Sequence, residues 1–474
     1  MVNNILFILN NEEINAQVNL SSTLLNFIRN EKKLTGTKLV CREGDCGACT
    51  VLIGKLINDE VVYKTVTSCI YPIGKVNGKH IVTIEGLNKE ELTVPQYEFV
   101  EEGATQCGFC TPGFIMSLTW YLITHKNYDI DEAINALGGN ICRCTGYASI
   151  IRAVEKTVSK LNDRDNTNGV QLQKLIESNV LPEYFSSIAE KLKKIAEAGS
   201  KSIRGNNSNR ILVGGGTDLY VQKYGTLVLS DINLIDNNNL NYIKIDDKDI
   251  ILGASVTFEQ FKKSNILKKY FPRLKAQMNL VASLPIRNSA TIAGNIVNAS
   301  PIADLTIILL SLDSTLVLTD GSNERMVKLS KFYKGYKSLG KSESELIKEV
   351  RFPVPFSGSN FNFEKVSKRT YLDISSVNTA ISLIVEKGTI VSAKISAGGV
   401  APIPLFLSKA SEYLKGKPLS IEELESTLEI VQSEISPISD VRGSKEYKRL
   451  LLNQLIKAHF ISLFPKEINI GELV

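Results

Sequence analysis

The sequence has little histidine, no long apolar run and no cysteine beyond residue 144. Its three histidines, His80, His125 and His459, lie outside every motif described below, so we interpret them as structural or exposed. No stretch approaches the ~18 apolar residues of a membrane span, and the N-terminus lacks a secretory signal pattern. We therefore expect a cytoplasmic protein without a membrane partner. Because cysteine is absent after residue 144, any redox role of the later chain must depend on an organic cofactor.

Size and charge narrow the possible classes of protein further. The chain has 474 residues, and a single hydrophobic core rarely grows past about 250–300 residues, so we expect roughly two to four domains. The net charge of +5 is too small over this length to indicate nucleic-acid binding.

All eight cysteines fall into two groups of four. The first group has the spacing C-x4-C-x2-C in the segment CREGDCGACT, with a fourth cysteine after nineteen further residues, which is the plant-type [2Fe–2S] spacing. Gly44 and Gly47 allow the loop to bring backbone N–H groups close to a cluster. Zinc sites usually show paired C-x2-C motifs, and disulfides are unexpected in a reducing compartment. We predict that the cluster ligands are Cys41, Cys46, Cys49 and Cys69.

The second group combines CGFC with CRC thirty-one residues later. Neither pattern is specific alone, but the surroundings predict helices. Thr111 is placed to cap a helix with Pro112 at its first position, a short helix is expected over 130–137, and a third helix follows the last cysteine. A redox-active CXXC disulfide is the alternative, although it leaves the CRC pair without a role. We predict that four thiolates converge on one metal site: Cys107, Cys110, Cys142 and Cys144.

Two later segments suggest an organic cofactor. In ILVGGGTDLYV, a strand over 211–213 runs into three glycines whose N–H groups can face a diphosphate, and Thr217 can add a hydroxyl. This differs from the Rossmann fingerprint, and a glycine-rich turn between strands is the default interpretation. The segment ASLPIRNSATIAGNIVNAS is rich in small residues, so a flat ligand or another backbone can approach it closely.

The cysteine segments carry a resemblance to a known family. CREGDCGACTV, ATQCGFCTPGF and GGNICRCTGY resemble the iron–sulfur part of the molybdenum hydroxylases, the xanthine dehydrogenase and aldehyde oxidase family. The resemblance implies a β-grasp ferredoxin domain and a four-helix bundle, each with one [2Fe–2S] cluster. It also implies that Gln106 contacts molybdopterin.

The later segments resemble the FAD part of the same family. They imply a vanillyl-alcohol-oxidase-type FAD domain, while SAGGVAPIPL resembles the small α+β C-terminal flavoprotein domain that follows it. Lys368 and Arg369 stand where the family pattern usually has two arginines. The FAD-binding residues implied by the resemblance are Leu212, Val213, Gly214, Gly215, Gly216, Thr217, Asp218, Leu219, Ala290, Thr291, Gly294, Asn295, Ile296, Ser300, Asp304 and Lys365.

We therefore expect an α+β multidomain protein. A strand is predicted at the N-terminus over residues 4–9, and the polar stretch NDRDNTNGV has the character of a linker. The predicted division is 1–82 ferredoxin-like, 83–161 helical, 162–181 linker, 182–358 FAD-binding and 359–474 C-terminal flavoprotein domain.

The resemblance also implies a function and partners. No segment is long enough to house a molybdopterin site, so we expect it on a large partner subunit, in a dimer of heterodimers. The chain would pass electrons from hypoxanthine or xanthine oxidation through both clusters to FAD and then NAD⁺, with no catalytic residue of its own. Two alternatives stay open: a hydroxylase subunit for aldehydes or other N-heterocycles, and a stand-alone electron-transfer module.

Overall fold

The computed structural model describes residues 2–163, 171–197, 210–235, 238–356, 358–469 and 471. The chain divides into two compact units, residues 1–236 with 283–289 and residues 237–282 with 290–474. Residues 164–170 of the predicted linker lie outside the described residues, whereas residues 171–177 of that linker form a helix. The predicted five-part division remains a prediction.

The first 163 residues contain a sheet followed by helices. Their elements are β1 (Val2–Leu9), β2 (Glu12–Asn19), α1 (Leu24–Asn26) with a π-helical turn (Phe27–Glu31), β3 (Thr50–Ile57), β4 (Glu60–Thr67), β5 (His80–Val82), α2 (Val94–Glu101), α3 (Thr111–Thr124), α4 (Ile130–Ala136) and α5 (Ala148–Asn162).

The five strands form one mixed sheet in the order β2-β1-β5-β3-β4, with β1 and β5 parallel. This is the predicted β-grasp arrangement. Apolar side chains on both faces of β1 explain its position inside the sheet, because successive side chains of a strand point to opposite faces. Ile5, Phe7 and Leu9 join the core around the first cysteine group. Ile8, on the opposite face, packs with Ile188.

Helices α2 to α5 form the predicted helical part. Along α5, Ile150, Val154, Val158 and Leu161 are buried at the spacing of a single helix face. The predicted cap of α3 is wrong. Thr111 is the first helical residue, so Cys110 occupies the cap position, and the Thr111 hydroxyl instead donates to Thr105 Oγ1 at 2.9 Å.

Residues 171–235 complete the first unit along the chain. They form α6 (Gln171–Glu177), α7 (Ile188–Glu197), β6 (Ile211–Val213), α8 (Leu219–Gln222), α9 (Tyr224–Leu227) and β7 (Ile232–Leu234). β6 has the predicted bounds, and it pairs in parallel with β7.

The remaining chain contains two larger sheets and their helices. Its elements are β8 (Ile243–Asp246), β9 (Asp249–Gly253), α10 (Phe258–Lys263), α11 (Asn265–Tyr270), α12 (Leu274–Asn279), α13 (Leu284–Arg287), α14 (Ile292–Asn298), α15 (Asp304–Ser311), β10 (Thr315–Thr319), β11 (Glu324–Lys328), β12 (Tyr333–Gly335), β13 (Ser338–Leu339), β14 (Leu346–Pro353), β15 (Ser359–Val366), β16 (Val377–Glu386), β17 (Thr389–Gly398), β18 (Leu405–Phe406), α16 (Ser408–Leu414), α17 (Ile421–Glu434) and α18 (Lys445–Leu463).

Within the second unit, β11-β10-β14-β9-β8 form a five-stranded sheet and β15-β16-β17-β18 a four-stranded one. The apolar helix α15 is buried, and its Ile307 carbonyl accepts a hydrogen bond from Ser396 of β17 at 2.7 Å. The architecture is thus mixed α and β, as predicted. Within the described ranges, no helix has the length and apolar character needed to cross a membrane.

Residues 283–289, including α13, belong to the first unit although their neighbours along the chain belong to the second. Asn288 donates to the Thr65 carbonyl of β4 at 3.0 Å, and Lys64 donates to the Asn288 carbonyl at 3.1 Å. We call residues 283–289 the return segment, because the chain comes back to the first sheet through it.

Candidate cofactor sites

The first cysteine group lies in the loop before β3 and in a short turn after β4. Cys49 and Cys69 are buried, whereas Cys41 and Cys46 are partly exposed. Sulfur–sulfur contacts join Cys41 to Cys46 and to Cys69, and Cys49 to Cys69. The structure therefore brings together all four predicted ligands, and none of the eight cysteines forms a disulfide.

The pKa values of these thiols separate because neighbouring sulfurs share protons. Hydrogen bonds from Cys46 and Cys69 hold the pKa of Cys41 far below its ordinary value, and Cys69 likewise lowers the pKa of Cys49. As the donors, Cys46 and Cys69 have raised pKa values. Four thiolates this close require positive charge between them, since like charges disfavour ionisation. This donor set fits a metal cluster, whose ions would replace the shared protons.

The second cysteine group lies at the surface. Cys110 precedes α3, and Cys142 and Cys144 lie in the loop before α5. Cys107 and Cys144 are exposed, with their sulfurs 3.6 Å apart. Gln106 is exposed beside them. The structure therefore also brings together the second predicted ligand set.

Two effects set the pKa values of the inner pair. Burial, together with a hydrogen bond donated to Cys142, raises the pKa of Cys110 to about 12. Burial also opposes ionisation of Cys142, but hydrogen bonds from the Thr145 hydroxyl at 3.2 Å and amide at 3.5 Å lower its pKa overall. Hydrogen bonds of this kind orient and tune metal-bound sulfur. Among the described residues, no three His, Cys, Asp or Glu side chains surround a single-ion position, whereas a [2Fe–2S] cluster distributes four cysteines over two irons.

The loops of the two cysteine groups touch each other. The Ile141 amide donates to the Cys46 carbonyl at 3.0 Å, and Cys142 follows immediately along the chain. Asn140 donates from Nδ2 to the Gly47 carbonyl at 3.1 Å. The residue that precedes Cys142 is therefore joined by one backbone hydrogen bond to Cys46, so the two predicted sites are directly connected.

The predicted glycine loop packs on the first cysteine domain. Lys75 Nζ donates to the Gly214 carbonyl, and Tyr220 Oη donates to the Ser21 carbonyl at 2.7 Å. Gly216 has a φ of +83°, a conformation that favours glycine. In the described part of the chain, the amides of Gly215, Gly216 and Thr217 donate to no backbone carbonyl. These amides fit the prediction of an anion-binding loop.

The second set of predicted FAD residues lies in the second unit and is built around a buried ion pair. Lys365 Nζ is 2.8 Å from Asp304 Oδ2, with the lysine side chain 1% exposed. Ser375 and Asn378 also donate to Asp304, at 2.6 and 2.5 Å. Asp304 is the first residue of α15, where a negative charge is stabilised by the helix dipole. The structure thus brings together Asp304 and Lys365.

The other predicted FAD residues either make hydrogen bonds within the protein or differ in how far they are buried. Thr291 caps α14 through the Gly294 amide, and Asn295 Oδ1 accepts from the Thr306 hydroxyl at 2.8 Å. Ala290 is buried and Ser300 is partly exposed. Val213, in the first unit, and Ile296 are fully buried, so their side chains serve the core.

The sequence-based reasoning missed several residues at these sites. Thr145 and Asn140 stand within the recognised GGNICRCTGY segment, where a polar residue beside a cysteine or glycine was an available signal. Lys75 had no such signal, because its partner Gly214 is 139 residues away in sequence.

Four family sequence models match the chain. They are a 2Fe-2S iron-sulfur cluster binding domain over residues 7–72, a [2Fe-2S] binding domain over 83–155, an FAD binding domain in molybdopterin dehydrogenase over 183–355, and a CO dehydrogenase flavoprotein C-terminal domain over 363–463. By its domains, this is an iron–sulfur flavoprotein.

Curated relatives extend this assignment. Xanthine dehydrogenase of Emericella nidulans is 27% identical over 86% of this chain and 35% of the relative. Xanthine dehydrogenase/oxidase of Gallus gallus is 25% identical over 98% and 40%, and aldehyde oxidase 1 of Bos taurus is 27% identical over 94% and 38%. The chain thus spans less than half the length of these relatives. Its domains and relatives are similar to the iron–sulfur and FAD part of the molybdenum hydroxylases.

Solved structures support the fold. Carbon monoxide dehydrogenase from Hydrogenophaga pseudoflava matches with a TM-score of 0.50 and 24% identity, over 55% of this chain and 91% of that chain. Quinoline 2-oxidoreductase from Pseudomonas putida 86 matches with a TM-score of 0.50 and 22% identity, over 56% and 92%.

Proposed function

We propose that this chain carries electrons from a molybdopterin-containing partner chain through two [2Fe–2S] clusters to FAD. The observation that carries the proposal is the hydrogen bond from the Ile141 amide to the Cys46 carbonyl, which joins the two cysteine loops. When bound, such clusters carry one electron each, and a flavin accepts two and passes a hydride onward. The protein residues hold these groups in order and shield them.

The proposed ligands are the eight cysteines in their two sets. The second set, Cys107, Cys110, Cys142 and Cys144, has two exposed members and receives electrons from the partner, and exposed Gln106 beside it contacts molybdopterin. The first set, Cys41, Cys46, Cys49 and Cys69, passes them to FAD. This direction is favoured because the first cysteine domain contacts the glycine loop through Lys75.

For FAD binding we propose one group of residues in each unit. The consecutive amides of Gly215, Gly216 and Thr217 hold its diphosphate. The Asp304–Lys365 pair, held by Ser375 and Asn378, supplies a charged and hydrogen-bonding surface. The other FAD-binding residues implied by the family resemblance are proposed as well.

For the substrate we propose hypoxanthine and xanthine, with NAD⁺ as the final acceptor, and a dimer of heterodimers as the assembly. The support is the likeness to relatives named xanthine dehydrogenase. A second candidate is an aldehyde substrate, because aldehyde oxidase 1 of Bos taurus is similarly identical to this chain. Turnover of the copurified complex with xanthine and with an aldehyde, each with NAD⁺ or oxygen, distinguishes these candidates.

The first experiment measures iron, sulfide and flavin in anaerobically purified protein, with low-temperature EPR after dithionite reduction. Two irons and two sulfides for each of two clusters, two distinct EPR signals and bound FAD are expected. Zinc in place of iron, or the absence of flavin, would contradict the proposal.

A cysteine variant tests the order of electron flow. Cys110→Ser should remove one EPR signal and block reduction of the flavin by the partner's substrate, while FAD stays bound. Thr111→Val, the adjacent matched control, should retain both signals and normal flavin reduction. Flavin reduction by substrate in Cys110→Ser would overturn the proposed order.

A further inference from the structure

Asn140 lies where three parts of the first unit meet. Its side chain is 5% exposed. It accepts a hydrogen bond from the Ser117 hydroxyl of α3 at 2.7 Å and donates to the Gly47 carbonyl of the first cysteine loop at 3.1 Å. Asn140 itself belongs to the second cysteine loop, two residues before Cys142. One amide group therefore ties both loops to the same helix.

Gly47 and Gly113 lie so close to neighbouring atoms around Asn140 that neither position has room for a side chain. A Cβ atom on Gly47 would lie 2.2 Å from the Gly139 carbonyl oxygen and 2.5 Å from Asn140 Nδ2. A Cβ atom on Gly113, in the first turn of α3, would lie 2.4 Å from the Gly47 carbonyl oxygen. The glycines let the two loops approach each other, and the Asn140 amide fills the remaining polar contacts.

Both ends of the Asn140 amide have a defined role. Its oxygen needs a donor, which Ser117 supplies, and its nitrogen needs an acceptor, which is the Gly47 carbonyl. An aspartate at this position would keep an acceptor for Ser117 but would place a second oxygen against the Gly47 carbonyl. Asparagine therefore satisfies both contacts, whereas aspartate, which has the same shape, would make the contact with the Gly47 carbonyl repulsive.

We propose that Asn140 is a positioning residue that holds the two cluster loops at the separation and orientation which set electron transfer between them. This inference rests on the proposed function, since it requires a cluster in each loop. Asn140 acts through the Gly47 and Ile141 peptide groups, beside the hydrogen bond from Ile141 to the Cys46 carbonyl.

The test compares Asn140→Asp, Ser117→Ala and a control variant with the wild type. Thr119→Val is the control, because Thr119 is on the same helix and, among the described residues, its buried hydroxyl makes no hydrogen bond. For each protein, iron content is measured first. The magnetic splitting between the two reduced clusters is then read by EPR, and the rate of electron redistribution between them is followed after pulsed reduction.

We expect Asn140→Asp to keep its iron, to lose most of the splitting and to slow redistribution about 10- to 100-fold, a range taken from the activity lost when a group that orients metal ligands is removed. Ser117→Ala should act in the same direction but less strongly, and Thr119→Val should match the wild type. Unchanged splitting and rate in an iron-replete Asn140→Asp protein would overturn the inference.

Three further outcomes are decisive. If Asn140→Asp loses one cluster, Ser117→Ala becomes the variant that tests the inference. Unchanged splitting and rate in Ser117→Ala would then overturn it. If the wild type lacks two iron–sulfur signals, the proposed function fails and the inference fails with it. A wild type with both signals and variants without effect would overturn the role of Asn140 alone.

Discussion

The two cysteine groups differ in how the protein surrounds them. The first is built into a sheet, with Cys49 and Cys69 only 2% and 3% exposed, and they pack with the apolar core of that domain. The second is held by helix ends and loops, with Cys107 and Cys144 exposed. An enclosed site depends on the integrity of its domain, whereas a surface site can change with little cost to the fold and stays accessible to another molecule.

The sharpest test of this difference substitutes one glycine in each loop. Gly47 and Gly108 have φ values of +69° and +76°, so alanine costs about 1–2 kcal/mol at either position. At Gly47 the new methyl group would also meet the Gly139 carbonyl oxygen at 2.2 Å, while at Gly108 it would meet, among the described residues, only Thr105 Oγ1, at 3.7 Å. Overpacking adds about 1–3 kcal/mol. Gly47→Ala should therefore lower the free energy of unfolding by about 2–5 kcal/mol, measured in urea.

Gly108→Ala is the matched control for that experiment. Its free energy of unfolding should fall by about 1–2 kcal/mol, the backbone cost alone. Equal losses in the two variants would contradict the difference in packing between the loops.

Serine substitutions compare the ligands themselves. Cys49→Ser and Cys107→Ser should each lose the iron of one cluster. In the cluster-free protein, Cys49→Ser should also lower the free energy of unfolding by about 1–3 kcal/mol, because burying a hydroxyl in this apolar core costs more desolvation than burying a thiol. Cys107→Ser should stay within about 0.5 kcal/mol of the wild type, as at most surface positions. Iron analysis and urea unfolding measure both effects, and an equal stability loss would count against the enclosed character of the first site.

Acid should affect the first cysteine domain through His80. Burial lowers the pKa of His80 to about 3, and its Nδ1 and Nε2 atoms lie 2.8 Å from the Tyr63 hydroxyl and the Asn10 carbonyl. The unfolded chain binds this proton below about pH 6.5, whereas the folded protein does not until about pH 3. The free energy of unfolding should therefore fall by up to about 1.4 kcal/mol per pH unit as the pH drops from 6.5 toward 3.

The single tryptophan reports this change locally. Trp120 donates to the Tyr63 carbonyl at 3.0 Å, so its fluorescence follows the unit that contains His80. The slope should shrink in His80→Gln and persist in His125→Gln, where the substituted residue is partly exposed. A full slope in His80→Gln would assign the acid sensitivity to another group.

The smallest effect is expected from a surface ion pair between α5 and the end of α2. Arg152 Nε lies 2.9 Å from Glu102 Oε2, with the arginine side chain about half exposed. Arg152→Gln should cost about 0.2–1 kcal/mol, as exposed pairs do, and the difference should shrink at high salt. A loss comparable to that of Gly47→Ala would mean that the surface site is as tightly built as the enclosed one.

Local patterns predicted much of this molecule. The strand over 211–213 has the predicted bounds, the helix expected over 130–137 ends one residue earlier, and both cysteine sets converge as their spacing indicated. Each of these features depends on neighbouring residues. The cap of α3 was wrong because Thr111 is itself helical, a difference of one residue that propensity does not resolve.

What the sequence could not predict are contacts between distant segments. Asn140 and the Gly47 carbonyl are 93 residues apart, and periodicity carries no information about such a pair. The buried pair of Asp304 and Lys365 shows an intermediate case. The family resemblance indicated both residues, but only the fold shows that they bond to each other with Ser375 and Asn378 around them.

The return segment has a consequence for the order of events during synthesis. A Cβ atom on Gly44 would lie 2.7 Å from Ile286 Cδ1, and one on Gly139 would lie 3.0 Å from Pro285 Cδ. Residues 283–289 therefore contact both cysteine loops, at Gly44 and at Gly139. Chains are synthesised at about 5–20 residues per second, so all eight cysteines are made several seconds before the return segment. The contacts between the return segment and the two cysteine loops therefore form only after both loops have been synthesised.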